Sequence, residues 1–109
     1  MGKLIDTAVS HFNNKEIRSL KVPEWETTIY CKNLSLKDKS DWYNRADGDN
    51  TDYLVYALIF GCTDEKGKHL FDVGDKHSLK NKVDPEVLSK VANFVLSVTT
   101  DEEEREKNL

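Results

Sequence analysis

Nine consecutive residues, Leu54 to Cys62 (LVYALIFGC), carry no charge. A segment that is apolar on nearly every side must be covered on several faces, so it belongs at the centre of the fold. It falls far short of the ~20 residues that cross a bilayer. Two readings compete for it. Val55, Ile59 and the aromatics favour a buried strand. Asn50 or Thr51, in the polar DGDNTD turn, can instead cap a helix that Leu54, Ala57 and Leu58 continue. We read 51–62 as a core helix, with the strand as the open alternative.

The flanking segments supply the cover. Leu4, Ile5, Ala8 and Phe12 recur at helical spacing, and Asn13-Asn14 ends that short amphipathic helix. Two β-rich stretches, about 16–22 and 26–33, are joined through VPEWE, and Pro23 belongs in the connection because it cannot donate to a ladder. Ser35-Leu36-Lys37-Asp38 resembles a capping box opening a helix whose Leu36, Trp42 and Tyr43 share an inner face. TDEKGKHLFD turns at Gly67 before Leu70 and Phe71 return to the core, and 75–82 makes one helical turn. Asp84-Pro85-Glu86 is a helix start: an Asp cap, Pro at the first helical position and a carboxylate near the positive end of the dipole. Val87, Leu88, Val91, Ala92, Val95 and Val98 then mark a helix running to about Val98. The expected fold class is α+β: a helical core of about four helices with a short two-stranded antiparallel ribbon.

No linker or repeat divides the 109 residues, so 1–98 reads as one domain. Charged residues reach 33%, with 20 acids against 16 bases and a net charge of −4. That balance disfavours a broad nucleic-acid-binding face. Most of the excess lies in DEEEREKNL, which holds five acids and two bases. Residues 99–109 therefore read as an acidic, disordered tail. Two cysteines, rather than a patterned set, argue for a reducing compartment, and Asp6 and His11 interrupt any signal-peptide core. A soluble intracellular protein without membrane contact is expected.

Candidate chemistry is sparse. Counted as a calcium loop from Asp47, DGDNTD places Asp52 where glycine is needed and Leu58 where the bidentate Glu is needed, so it reads as a solvated turn. His11, His69, His77, Cys31 and Cys62 lack the paired spacing of zinc ligands. Neither cysteine is accompanied by a nucleophile elbow or oxyanion-hole sequence, and no glycine loop cradles phosphate. The expectation is no enzyme, no metal and no cofactor. Trp25, between Glu24 and Glu26, either folds back as a plug on the core or faces a partner. Glu24, Trp25 and Glu26 are the candidate exposed patch, and Leu4, Ile5 and Phe12 are candidates for packing on a neighbouring copy.

The order of these features carries a resemblance. Val22-Pro23-Glu24-Trp25, and an apolar helix running into Asp64-Glu65-Lys66-Gly67-Lys68-His69-Leu70-Phe71 (D-x-x-G-K-x-L-F), resemble the tail assembly chaperones of long-tailed bacteriophages. The likeness extends over roughly 3–98, although Val73-Gly74-Asp75-Lys76 is a looser fit to the family's acidic helix start. The resemblance implies a non-enzymatic protein of the host cytoplasm that coats the tape-measure protein before tail-tube subunits polymerise. It implies self-association into spirals and absence from the finished virion. It also implies a longer, frameshifted product that reaches the tail-tube protein. Glu106-Lys107-Asn108 can be encoded GAA-AAA-AAC or GAA-AAA-AAT, on which a ribosome can slip back one base. The alternative is a small acidic adaptor or inhibitor, such as an antitoxin-like partner.

Overall fold

The computed structural model describes residues 3–99. The 100–109 part of the acidic tail, including the slip position at Glu106, Lys107 and Asn108, lies outside the described residues. In chain order the elements are α1 (Lys3–Asn13), β1 (Arg18–Val22), a 3-10 turn (Pro23–Trp25) and β2 (Thr27–Cys31). There follow α2 (Leu36–Ala46), α3 (Asn50–Gly61), a second 3-10 turn (Val73–Asp75), α4 (Lys76–Asn81) and α5 (Pro85–Thr99). The class is α+β with a helical majority, as the patterning predicts, and the described residues hold five α-helices where about four are expected.

The central apolar run is a helix. Val55, Tyr56, Ala57, Leu58, Ile59 and Gly61 of α3 are all buried, between α2 on one side and α4 and α5 on others. Its cap is Asp49, not Asn50 or Thr51: Asp49 Oδ1 accepts from the Asp52 amide at 2.8 Å. The reason is local: Asp49 is the residue left extended (φ −87°, ψ 119°) while Asn50 already lies in the helix. At the other end α3 and α5 approach so closely that a Cβ on Gly61 would stand 2.4 Å from Val95 Cγ1. Glycine is required there for space, since that gap is shorter than any real carbon contact.

Ser35 caps α2 by accepting from the Asp38 amide at 3.1 Å. The inner face of α2 is narrower than its spacing predicts. Trp42 is buried, and its Nε1 donates to Tyr53 O at 2.8 Å. Leu36 and Tyr43, however, are 85% and 58% exposed. Leu36 sits in the first turn, across a shallow hollow from α1, and Tyr43 stacks on both Trp42 and Tyr53. Asp84 opens α5, Oδ1 accepting from the Glu86 amide at 2.9 Å. The stripe Val87, Leu88, Val91, Ala92 and Val95 is buried, and Thr99, one residue past the expected domain boundary, is buried as well.

The ribbon is antiparallel, with Arg18 opposite Cys31 and Val22 opposite Thr27. Alternation along β2 sends Ile29 and Cys31 into the core. The sheet does not stop at its two strands. Tyr30 exchanges both backbone hydrogen bonds with Thr63, and Thr63 in turn bridges to His69. The D-x-x-G-K segment makes the intervening turn. Asp64 Oδ1 accepts from the amides of Lys66 and Lys68 at 2.8 and 3.0 Å, and Gly67 adopts φ 88°, a left-handed value that favours glycine. Those two amides, Lys68 first, hold the Asp64 carboxyl below the usual carboxylate range.

Candidate partner-binding surfaces

An apolar groove opens beside the VPEWE turn. Pro23, with its fixed φ, starts a single 3-10 turn that ends at Glu26 in the left-handed region, φ 51°. The Glu26 amide donates to Pro23 O at 3.0 Å, closing the turn. This geometry folds Trp25 back toward the sheet, where it packs half-buried against the core and meets Phe71 edge to face. Trp25 and Phe71 form one part of a groove of about 370 Å³ whose other lining residues are Thr27, Ile29, Leu70, Leu79 and Val83. Leu70 stays 41% exposed at its rim instead of returning fully to the core. The indole is therefore partly a plug and partly the wall of an open apolar hollow.

Acid and base frame the turn unevenly. Glu24 Oε1 lies 3.5 Å from Lys90 Nζ on α5, a half-exposed pair that ties the turn to the helical core. Glu26 is exposed and serves the backbone turn. Of the predicted patch, only Trp25 lines the groove. The patterning did not single out Leu79 and Val83 for it. They come from the short α4 and the link after it, and only the tertiary fold brings them beside the tryptophan.

The second surface is α1. None of its residues is buried, and its apolar side is open: Leu4 is 82%, Ile5 62% and Val9 50% exposed. The helix is attached near its C-terminal end. Lys32 Nζ donates to Asn13 O at 2.9 Å and lies 5.7 Å from the Phe12 ring centroid. Ala8, Val9 and Phe12 face Leu34, Ser35 and Leu36 across a shallow hollow of about 330 Å³. Leu4 and Ile5 are exposed, while Phe12 is the half-buried anchor. Val9 and Leu36 complete an apolar surface that helical spacing within one element could not reveal.

The titratable groups brace the fold. Asp52 of α3 lies 2.9 Å from Lys80 and 3.2 Å from Lys76 of α4. The Lys80 contact, then Lys76, holds its carboxyl below the ordinary range. The exposed Tyr43 and the Tyr53 beside it stack 5.7 Å apart, and burial followed by the Tyr43 contact pushes the Tyr53 hydroxyl up to about 12. Among the described residues no group of three His, Cys, Asp or Glu side chains converges to hold a metal ion. No described helix is long and apolar enough to cross a membrane.

The architecture is that of a small α+β protein with an apolar groove and an uncovered amphipathic helix. Among solved structures, it is similar to the tail assembly chaperone of bacteriophage HK97, with a TM-score of 0.67 over 91% of this chain and 95% of that one. Identity between the two is 19%, so what they demonstrably share is the fold. No family model matches the sequence, and no curated protein matches it.

Proposed function

We propose that this chain is a phage tail assembly chaperone that binds the tape-measure protein and keeps it soluble until the tail tube polymerises. The observation that carries the reading is a fold likeness to a tail assembly chaperone over nine-tenths of both chains. The two open apolar surfaces agree with it. A long helical client presents repeated apolar stripes, and a small domain meeting them with a groove and a helix face binds each weakly. Many copies on one client then hold it by avidity, while tube subunits can displace them one at a time. In this reading α1 packs on neighbouring copies, the chaperone works in the host cytoplasm without catalysis, and it leaves before the virion is complete. A longer product made by slippage at Glu106-Lys107-Asn108 links it to the tail-tube protein.

Co-expression with the tape-measure protein encoded nearby tests the proposal. The client is expected to move from the insoluble to the soluble fraction and to co-purify with this chain. A client that stays insoluble and forms no complex overturns it. Genome position is a second check, since a toxin gene in place of a tape-measure gene favours the inhibitor reading.

A further inference from the structure

The ribbon and the end of α3 bring the chain's two cysteines face to face. Tyr30 and Thr63 run antiparallel and exchange both backbone hydrogen bonds, at 2.9 and 2.8 Å. One step along that ladder the opposed residues are Cys31 and Cys62. They fall in the pair class that makes no hydrogen bonds of its own, where Cα atoms stand about 4.5 Å apart and both side chains leave the same face. The ladder geometry holds at Cys62, whose backbone is extended (φ −85°, ψ 123°) as it leaves the helix. Both side chains enter the core and are fully buried. Burial pushes the Cys62 thiol up, and the neighbouring Cys31 sulfur pushes it further, which independently marks their proximity.

A disulfide needs Cα atoms about 4.4–6.8 Å apart, with Cβ atoms on the same side. A non-hydrogen-bonded antiparallel pair falls within both conditions. We propose that Cys31 and Cys62 form a latent disulfide site, closed within one chain by a peroxide and reopened by a dithiol. One thiolate attacks a peroxide oxygen, breaking the O–O bond and leaving a sulfenic acid and water. The second thiolate displaces the sulfenic hydroxyl as a second water while the S–S bond forms. The peroxide is reduced, the two sulfurs are oxidised, and the two thiol protons leave in the two waters.

Neither thiol is activated in the closed fold. Desolvation pushes the Cys31 thiol up to about 12, and both sulfurs are out of contact with solvent. The thiolate is the reactive form, so oxidation proceeds through local opening of the Tyr30–Thr63 bridge and is slow at neutral pH. The bond, once made, encloses α2 and α3 in a covalent loop and fastens β2 to the end of the core helix. The oxidised chain is braced against parting of the ribbon from the helices.

The test uses the full chain treated with hydrogen peroxide and then alkylated. Expected results are an intact mass lower by two hydrogens, a Cys31–Cys62 linked peptide and a monomer on non-reducing gels. The melting temperature should rise by about 5–15 °C and return to its starting value with dithiothreitol. Cys62→Ala and Cys31→Ala should each abolish the linked peptide and the rise. Sulfinic acid on either residue, disulfide-linked dimers in place of the internal link, a linked chain that melts lower, or thiols still free after prolonged warming with peroxide would each overturn the proposal.

Discussion

Trp25 and Phe71, distant in sequence, meet edge to face with ring centroids 6.2 Å apart and planes at 76°. One comes from the turn between the strands and the other from the segment after the D-x-x-G-K hairpin. Their contact therefore ties the two sequence motifs behind the family resemblance into one groove wall. Edge-to-face pairs contribute about 0.5–1.5 kcal/mol beyond the area they bury. A double-mutant cycle of Trp25→Leu and Phe71→Leu, followed by urea unfolding, should return a coupling energy in that range. Strict additivity would mean that the two rings line the groove without supporting each other.

A second prediction concerns α1. Its apolar residues are exposed, so replacing Leu4, Ile5 and Val9 together by serine should change stability by less than about 0.5 kcal/mol per site. Under the proposed packing of α1 on neighbouring copies, sedimentation velocity should show larger species for the native chain than for this variant. Unfolding of the variant would mean that α1 is covered by the chain's own core in solution. Unchanged association would place the interface elsewhere.

Acid should weaken the α3–α4 junction in a defined way. The Asp52 carboxyl is held below its ordinary value by Lys80 and Lys76, so the ionised form stabilises the fold. That contribution is fully present above the unfolded carboxylate value of about 3.9 and is lost as pH falls through the lower folded value. Asp52→Asn should therefore cost about 1 kcal/mol at pH 7, a figure kept small because both lysines are about one-third exposed. The difference from the native chain should shrink as pH falls below that unfolded value. Thermal melts at a series of pH values measure it, and a gap that stays constant down to pH 2 would contradict the assignment.

Much of this fold is legible in the amino-acid pattern because local chemistry and burial agree. Asp84-Pro85-Glu86 opens α5, Ser35 caps α2, and the two β-rich stretches joined through VPEWE pair as an antiparallel ribbon. The misreadings share a cause. Leu36 and Tyr43 have the right spacing for an inner face, yet both are exposed, because which side of α2 is covered is decided by tertiary packing and not by periodicity. The cap of α3 moved to Asp49 because several adjacent polar residues can all accept from a helix amide, and the turn's backbone decides among them. Trp25 could be placed in a charged connection, but the groove it lines also takes in Leu79 and Val83, which only the assembled chain brings near.

The apolar surfaces of this chain are proposed to hold an aggregation-prone helical client in solution. The most direct measurement dilutes tape-measure protein from denaturant into buffer with and without this chain and follows light scattering. Scattering should be suppressed as the chain is added, a soluble complex should elute from a sizing column, and Trp25→Ala should suppress less at equal concentration. Scattering that rises equally with this chain and with an inert protein, with no complex on the column, would contradict it.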